Sequence, residues 1–170
     1  DSTFFLYYHY RNLHLPYNPS PPYDRLYAPE GYDASEFLRE KVEVVRKNVT
    51  IPLGSVVLNE QDKEWIGGLY DGQIREMDEQ FFRPVVATLK RLGIYENTLI
   101  VVTADHGEEL MDHGFIGHPS TSFKGSAFDE LLRIPLIMCC PNLLPRGRSV
   151  EEQVQNIDIL PTILDLLDIP

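Results

Sequence analysis

The sequence predicts an α/β fold, a mostly parallel sheet sandwiched by helices, and three observations carry that prediction. Residues 98–104 are dominated by β-branched residues and Leu and hold no charge, as a strand covered on both faces requires. Residues 134–138 and the aromatic run at residues 4–8 read as two further strands. Between the aromatic run and residues 98–104 lies a long stretch with apolar residues every three or four positions, so helix alternates with strand.

Taken in order, the strand at residues 4–8 leads into a loop over residues 9–32. Pro16, Pro19, Pro21, Pro22 and Pro29 forbid regular helix there, and Tyr residues give the loop bulk. Residues 33–48 read as a helix, with Asp33 at its start and Leu38, Val42 and Val45 on one face. Asn48-Val49-Thr50 is an N-glycosylation acceptor, meaningful only in a secretory setting. Residues 51–58 read as a linker. Residues 59–92 carry the longest helical pattern, through Ile66, Tyr70, Ile74, Met77, Phe81, Val85, Leu89 and Leu92. Pro84 should kink or split it, and Gly93 should end it. Asp71, Arg75, Asp78 and Glu79 fall mostly off the apolar face and read as its solvated side. Residues 128–132 suggest a short helix, and residues 158–167 a closing one with Pro161 in its first turn. The expected arrangement puts residues 4–8, 99–104 and 134–138 in one largely parallel sheet, covered by the helices at 33–48 and from about residue 61. The whole reads as one lobe of one domain.

Composition narrows the function. A chain of 170 residues is long enough for one domain with a real core. Its formal net charge is −11 and its pI about 4.8, so neither a nucleic acid nor an anionic membrane is the expected partner. An anionic small molecule stays admissible, because a cation or a Lys can dominate the field inside a cleft. No apolar run approaches a membrane span, and no basic segment precedes an apolar one at the start, so neither a span nor a signal peptide is read. Cys139 and Cys140 are adjacent and imply no disulfide framework.

The chemistry gathers at Asp105-His106-Gly107, where the central strand leaves the sheet. Ligands collect at the carboxyl ends of strands in open α/β sheets. Asp and His are common ligands of divalent cations, and Gly lets the backbone turn at once. Spacing alone equally allows an Asp that caps a turn beside a surface His. His14, in the Pro-rich loop, is by itself a solvated residue as readily as a functional one. The segment after Gly107 is polar and holds His113 and His118.

Together, four stretches resemble the sulfatase family, within the alkaline phosphatase superfamily. Phe4-Phe5-Leu6-Tyr7-Tyr8, running on to His14-Leu15-Pro16, resembles the family's strand and its His-x-Pro loop. Asn97-Thr98-Leu99 through Asp105-His106-Gly107-Glu108-Glu109 resembles its metal-binding strand. Lys124-Gly125 running into Ile134-Pro135-Leu136 resembles its Lys-Gly segment and next strand. Asp158-Ile159-Leu160-Pro161 opens what looks like the helix that follows. The resemblance implies an alkaline-phosphatase-like fold, with residues 1–170 as the C-terminal portion of a catalytic domain. It implies that Asp105 and His106 bind a divalent cation, Ca2+ first, with Mn2+ or Zn2+ admitted by His106. His14 and Lys124 would contact and act on the sulfate. His118 has no sure counterpart and is carried as a substrate-binding candidate, and His113 ranks below it. The implied substrate is a sulfate-ester small molecule or glycan, and the implied location is extracytoplasmic, secreted or lysosomal.

The chemistry fits those residue types. Cleaving a sulfate ester leaves negative charge on the departing oxygen, which a cation stabilises and a protonated His can neutralise. Lys offers a mobile point charge to a tetrahedral anion. One part of the family pattern is missing. Sulfatases carry paired Asp ligands and a Cys/Ser-x-Pro-x-Arg segment whose first residue becomes formylglycine. Here Cys139-x-Pro141 is followed by Leu143, and Ser20-x-Pro22 by Asp24, where Arg is required. The expectation is therefore a downstream part of the domain that is inactive alone and works with an upstream part. Many sulfatases have Asn where His106 stands, as phosphonate monoester hydrolases do not, so a phosphonate or phosphate ester hydrolase is the second expectation. A non-catalytic lobe is the third.

Overall fold

The computed structural model describes residues 3–33, 58–118 and 127–170. The expected helix at residues 33–48, the acceptor Asn48 and Lys124 lie outside the described residues, save Asp33.

The organising element is α1, Glu60–Met77. It starts on a reciprocal cap, in which Asn59 Oδ1 accepts from Asp62 N at 2.8 Å and Asp62 Oδ2 accepts from Asn59 N at 2.9 Å. Trp65, Ile66, Gly68, Gly72 and Gln73 form its buried face. The long helical pattern is split, as Pro84 requires. A five-residue π turn, Asp78–Phe82, separates α1 from α2, Arg83–Arg91, and the Arg83 N–H bonds five residues back to Asp78 O. Pro84 offers no N–H to Gln80, and the widened turn moves that carbonyl away from the ring. α2 ends at Gly93, whose φ of +70° lets its N–H reach Lys90 O at 3.0 Å while Ile94 N–H reaches Leu89 O at 3.1 Å.

Four short strands follow: β1 (Ile100–Thr103), β2 (Glu109–Leu110), β3 (Ile116–Gly117) and β4 (Leu136–Cys139), with α3 (Asp129–Leu132) ahead of β4 and α4 (Ile159–Leu166) closing the chain. β2 and β3 form a hairpin. β1 pairs with β4 in antiparallel register, Ile100 opposite Cys139 and Thr103 opposite Leu136. This corrects the expectation that these two strands are parallel. The cause is the connection between them. Gly107 N–H bonds to Leu131 O at 2.8 Å and Glu108 N–H to Glu130 O at 3.1 Å, so the segment just before β4 lies beside the turn that leaves β1. β4 then starts opposite the end of β1 and runs back along it.

Residues 4–8 also depart from expectation. They join no ladder among the described residues, and Phe4 to Tyr8 are 58–87% exposed. Among the described residues β1 is half-buried rather than covered on both faces.

The core forms where loop composition gave little sign of one. Leu15 and Tyr17 from the Pro-rich loop pack with Leu58 just ahead of the helix, Trp65 and Ile66 in it, and Ile116 of the hairpin. The loop lies directly on α1. A Cβ on Gly72 would overlap the carbonyl oxygen of Tyr23, and one on Gly68 that of Tyr27. Tyr32 donates to Asp62 Oδ1 at 2.5 Å and Tyr23 to Glu79 Oε2 at 2.7 Å. Those tyrosines are anchors rather than solvated bulk.

The loop–helix contact gives a sharp prediction. Gly72→Ala forces the Tyr23 carbonyl outwards and should cost about 1–3 kcal/mol in urea denaturation. Gly67→Ala, one turn earlier with open space around its Cβ, should instead stabilise by about 0.5–1 kcal/mol. Equal effects at the two positions would contradict this packing.

Candidate functional site

The loops after β1 and after the hairpin meet the Pro-rich loop. β1 ends at Thr103, and the turn that follows holds Asp105 at the surface and His106 half-buried. The turn cannot relax, because a Cβ on Gly107 would overlap the carbonyl oxygen of Glu130. His118 follows β3 directly, where Gly117 has a φ of +87°. His14 precedes Leu15, whose side chain is buried and packs over Gly117.

Three imidazoles come together from these loops. His14 Nε2 lies 2.9 Å from His118 Nε2. The ring centres of His106 and His118 are 4.7 Å apart, and those of His14 and His106 are 6.3 Å apart. Two of the rings have assignable tautomers. His14 Nδ1 lies 2.8 Å from Leu15 O and His106 Nδ1 lies 2.7 Å from Gly107 O. A carbonyl only accepts, so both Nδ1 atoms carry the proton. Neutral His14 and neutral His106 therefore present a bare Nε2, and His118 Nε2 supplies the proton between itself and His14.

Asp105 joins the cluster through His106. Its Oδ1 accepts from His106 N at 3.1 Å and stands 4.0 Å from His106 Nε2. Two tetrahedral bonds of about 2.1 Å would put the donor atoms about 3.4 Å apart, so a cation shared by them would draw the two slightly closer. The bare Nε2 and the exposed carboxylate are the right donors for it. Among the described residues no three His, Cys, Asp or Glu side chains are grouped to hold a metal ion by themselves. Asp105 and His106 thus fit as two ligands of a larger set.

Beneath the imidazoles lies a pair that spacing did not single out. Tyr17 donates to Glu108 Oε1 at 2.6 Å. Burial pushes the Tyr17 hydroxyl far above its usual range, and the Glu108 carboxylate adds to that. Glu108 is also raised, by desolvation, against the opposing pull of the Tyr17 hydrogen bond and of His14, His118 and His106. The signals available in sequence were the first carboxylate after Gly107 and a Tyr three residues past His14. Neither is distinctive alone.

The other two histidines sit elsewhere. His113 stacks on Phe128 with ring centres 3.9 Å apart and lies 3.4 Å from Glu130 Oε1, which ties the hairpin turn to α3. His9 is exposed and tilted against Tyr7. Lys124 is outside the described residues.

Comparison with known proteins agrees over nearly the whole chain. A family model described as sulfatase matches residues 1–169. The multifunctional alkaline phosphatase superfamily protein PehA of Trinickia caryophylli is 30% identical over 96% of this chain and 34% of its own length. Mouse iduronate 2-sulfatase (Mus musculus) is 26% identical over 99% of this chain and 36% of its own. Among solved structures, the phosphonate monoester hydrolase SpPMH from Silicibacter pomeroyi aligns with a TM-score of 0.58 and 31% identity, over 91% of this chain and 30% of that one. The chain spans about a third of the length of these relatives.

The raised Glu108 makes a pH prediction. Unfolded, the group titrates near 4.5, and folding moves it upward. Between the two values the folded state holds the extra proton, so stability falls as pH rises through that window. Glu108→Gln removes this slope and keeps an acceptor for Tyr17. Urea denaturation from pH 4.5 upward should show the variant gaining on the wild type and then levelling. A difference independent of pH would contradict the assignment.

Proposed function

The chain belongs to the sulfatase family, within the alkaline phosphatase superfamily, and from that premise we propose that it forms part of a metal-dependent hydrolase of sulfate esters. The observation that carries the proposal is the meeting of His14, His106 and His118, drawn from segments 92 and 104 residues from His14 in sequence, beside the carboxylate of Asp105.

Each residue has a role of its own. Asp105 and His106 Nε2 hold the cation, with further oxygen ligands supplied from outside these residues. Bound there, the cation supplies charge stabilisation for the ester oxygens. Ca2+ suits an oxygen-rich set, and His106 admits Mn2+ or Zn2+. His14, once protonated, donates from Nε2 to the departing oxygen, and His118 passes or takes that proton at 2.9 Å. Lys124 adds a positive point charge to the sulfate. The nucleophile, a formylglycine in family relatives, is supplied from outside residues 1–170, along with the paired Asp ligands. Substrates are small sulfate esters or sulfated glycans, and the setting is extracytoplasmic. Among the described residues no helix is long and apolar enough to cross a membrane.

A phosphonate or phosphate ester hydrolase is the second reading. His106 beside Asp105 favours it, and so does the likeness to a phosphonate monoester hydrolase at 31% identity. Both esters present a tetrahedral anion and a departing oxygen, so the same side chains serve either.

The test is an assay of the complete protein carrying this chain, on an aryl sulfate and an aryl phosphonate, with Ca2+ or Mn2+ and after chelation. Sulfate turnover that chelation abolishes is expected. Asp105→Ala should lose at least about 100-fold in kcat/KM, as loss of several kcal/mol of charge stabilisation implies. Glu151→Ala, on an exposed carboxylate far along the chain, should not change it. Preference for the phosphonate supports the second reading, and turnover of neither ester would leave a non-catalytic lobe. Residues 1–170 alone should turn over neither ester, and metal-dependent turnover by them would show that the chemistry lies in other residues.

A further inference from the structure

We propose that Tyr17 is a positioning residue of this site, holding the His14 segment against the Asp105–Glu108 loop through its hydrogen bond to Glu108. The inference rests on the hydrolase proposed above and names a residue outside its reacting groups.

Three consecutive features of the Pro-rich loop place His14. Leu15 is buried against Gly117, and a Cβ there would come within 2.7 Å of Leu15 Cδ1. That contact sets the loop against the strand leading to His118. Tyr17 is 7% exposed and meets Tyr70 of α1 edge-on, with ring centres 5.5 Å apart and planes at 75°. Its ring is therefore fixed by packing, and its hydroxyl has one direction to point. That direction is Glu108 Oε1, at 2.6 Å and 91 residues away in sequence.

Glu108 is held from its other side. Its backbone N–H bonds to Glu130 O at 3.1 Å, and the Gly107 N–H before it bonds to Leu131 O at 2.8 Å. The loop that carries Asp105 and His106 is thus tied to α3 by main chain and to the His14 segment by the Tyr17–Glu108 bond. Glu108 also lies within electrostatic reach of His14, His118 and His106. Removing the Tyr17 hydroxyl frees a partly buried carboxylate to swing towards an imidazole. The rings then lose their common reference, and His14 no longer keeps a fixed place relative to Asp105.

The chain carries a matched control. Tyr23, buried in the same loop, donates to Glu79 Oε2 at 2.7 Å, a bond of the same type that anchors the loop to the π turn. A purely structural role for Tyr17 predicts that the two Tyr→Phe variants behave alike.

The experiment uses the complete protein. Tyr17→Phe should lower kcat on the ester substrate by about 10- to 100-fold, with KM changed far less, as displacement of a reacting group by up to about 1 Å implies. Tyr23→Phe should leave kcat unchanged. Glu108→Ala should lower kcat further than Glu108→Gln, which still accepts from Tyr17. Long-range 1H–15N spectra of the imidazoles give a readout that needs no turnover. Tyr17→Phe should shift the ring nitrogens of His14 and His118, and Tyr23→Phe should not. Should Tyr17→Phe fail to fold, the comparison of Glu108→Ala with Glu108→Gln by both readouts decides. Ring-nitrogen spectra indifferent to Tyr17→Phe, or equal losses from the two Tyr→Phe variants, would overturn the proposal. A wild type that hydrolyses no ester would overturn the hydrolase reading instead, and the spectra would still test Tyr17.

Discussion

The close approach of the Pro-rich loop to α1 is the constraint on which the rest depends. Gly68 and Gly72 leave a bare strip on the helix, and the carbonyls of Tyr27 and Tyr23 occupy it. A chain without regular hydrogen bonding is thereby held as firmly as a strand would be. Its aromatic residues then point into the core instead of solvent, with Tyr17 against Tyr70 and Tyr32 beside Trp65. Leu15 and Tyr17 are fixed by this packing, and His14 next to them inherits a place. The loop on the other side is fixed by main-chain bonds to α3. A site made of three loops thus borrows its rigidity from one helix, one short helix and a hairpin.

What could be read from sequence followed local rules. The α1–α2 stretch was legible because its apolar period runs through Met77 and Leu89, and because Pro84 and Gly93 act wherever they stand in a helix. β1 and β4 were legible as runs of Val, Ile and Leu. Their direction was not, since it depends on where residues 104–135 travel, and the bonds from Gly107 and Glu108 to α3 have no local signature. Residues 4–8 show the opposite failure. Their apolar content read as burial, whereas Phe5 is 87% exposed among the described residues. At the site, His14, Asp105 and His106 could be named from pattern and resemblance. Tyr17 and Glu108 could not, because their importance lies in meeting each other.

The electrostatics reconcile an acidic chain with the anionic substrate proposed for it. A formal charge of −11 repels anions at long range. Within the cluster the balance is local. Glu108 lies near the three imidazoles and Asp105 beside His106, so the proposed cation and a protonated ring together can outweigh the two carboxylates. Glu108 resists ionisation because it is partly buried, which further lowers the negative charge the site must overcome.

The central claim is that His14, His106 and His118 form one cation-bearing site while His9 and His113 do not. Each of the five histidines of residues 1–170 is identified in the complete protein by its own His→Gln substitution. The direct measurement is paramagnetic broadening of the imidazole resonances of the complete, 15N-histidine-labelled protein as Mn2+ is added in substoichiometric steps. The account predicts that His106 broadens first, that His14 and His118 follow closely, and that His9 and His113 stay sharp until Mn2+ is in excess. Broadening that begins at His9 or His113, or that reaches all five rings together, would contradict it.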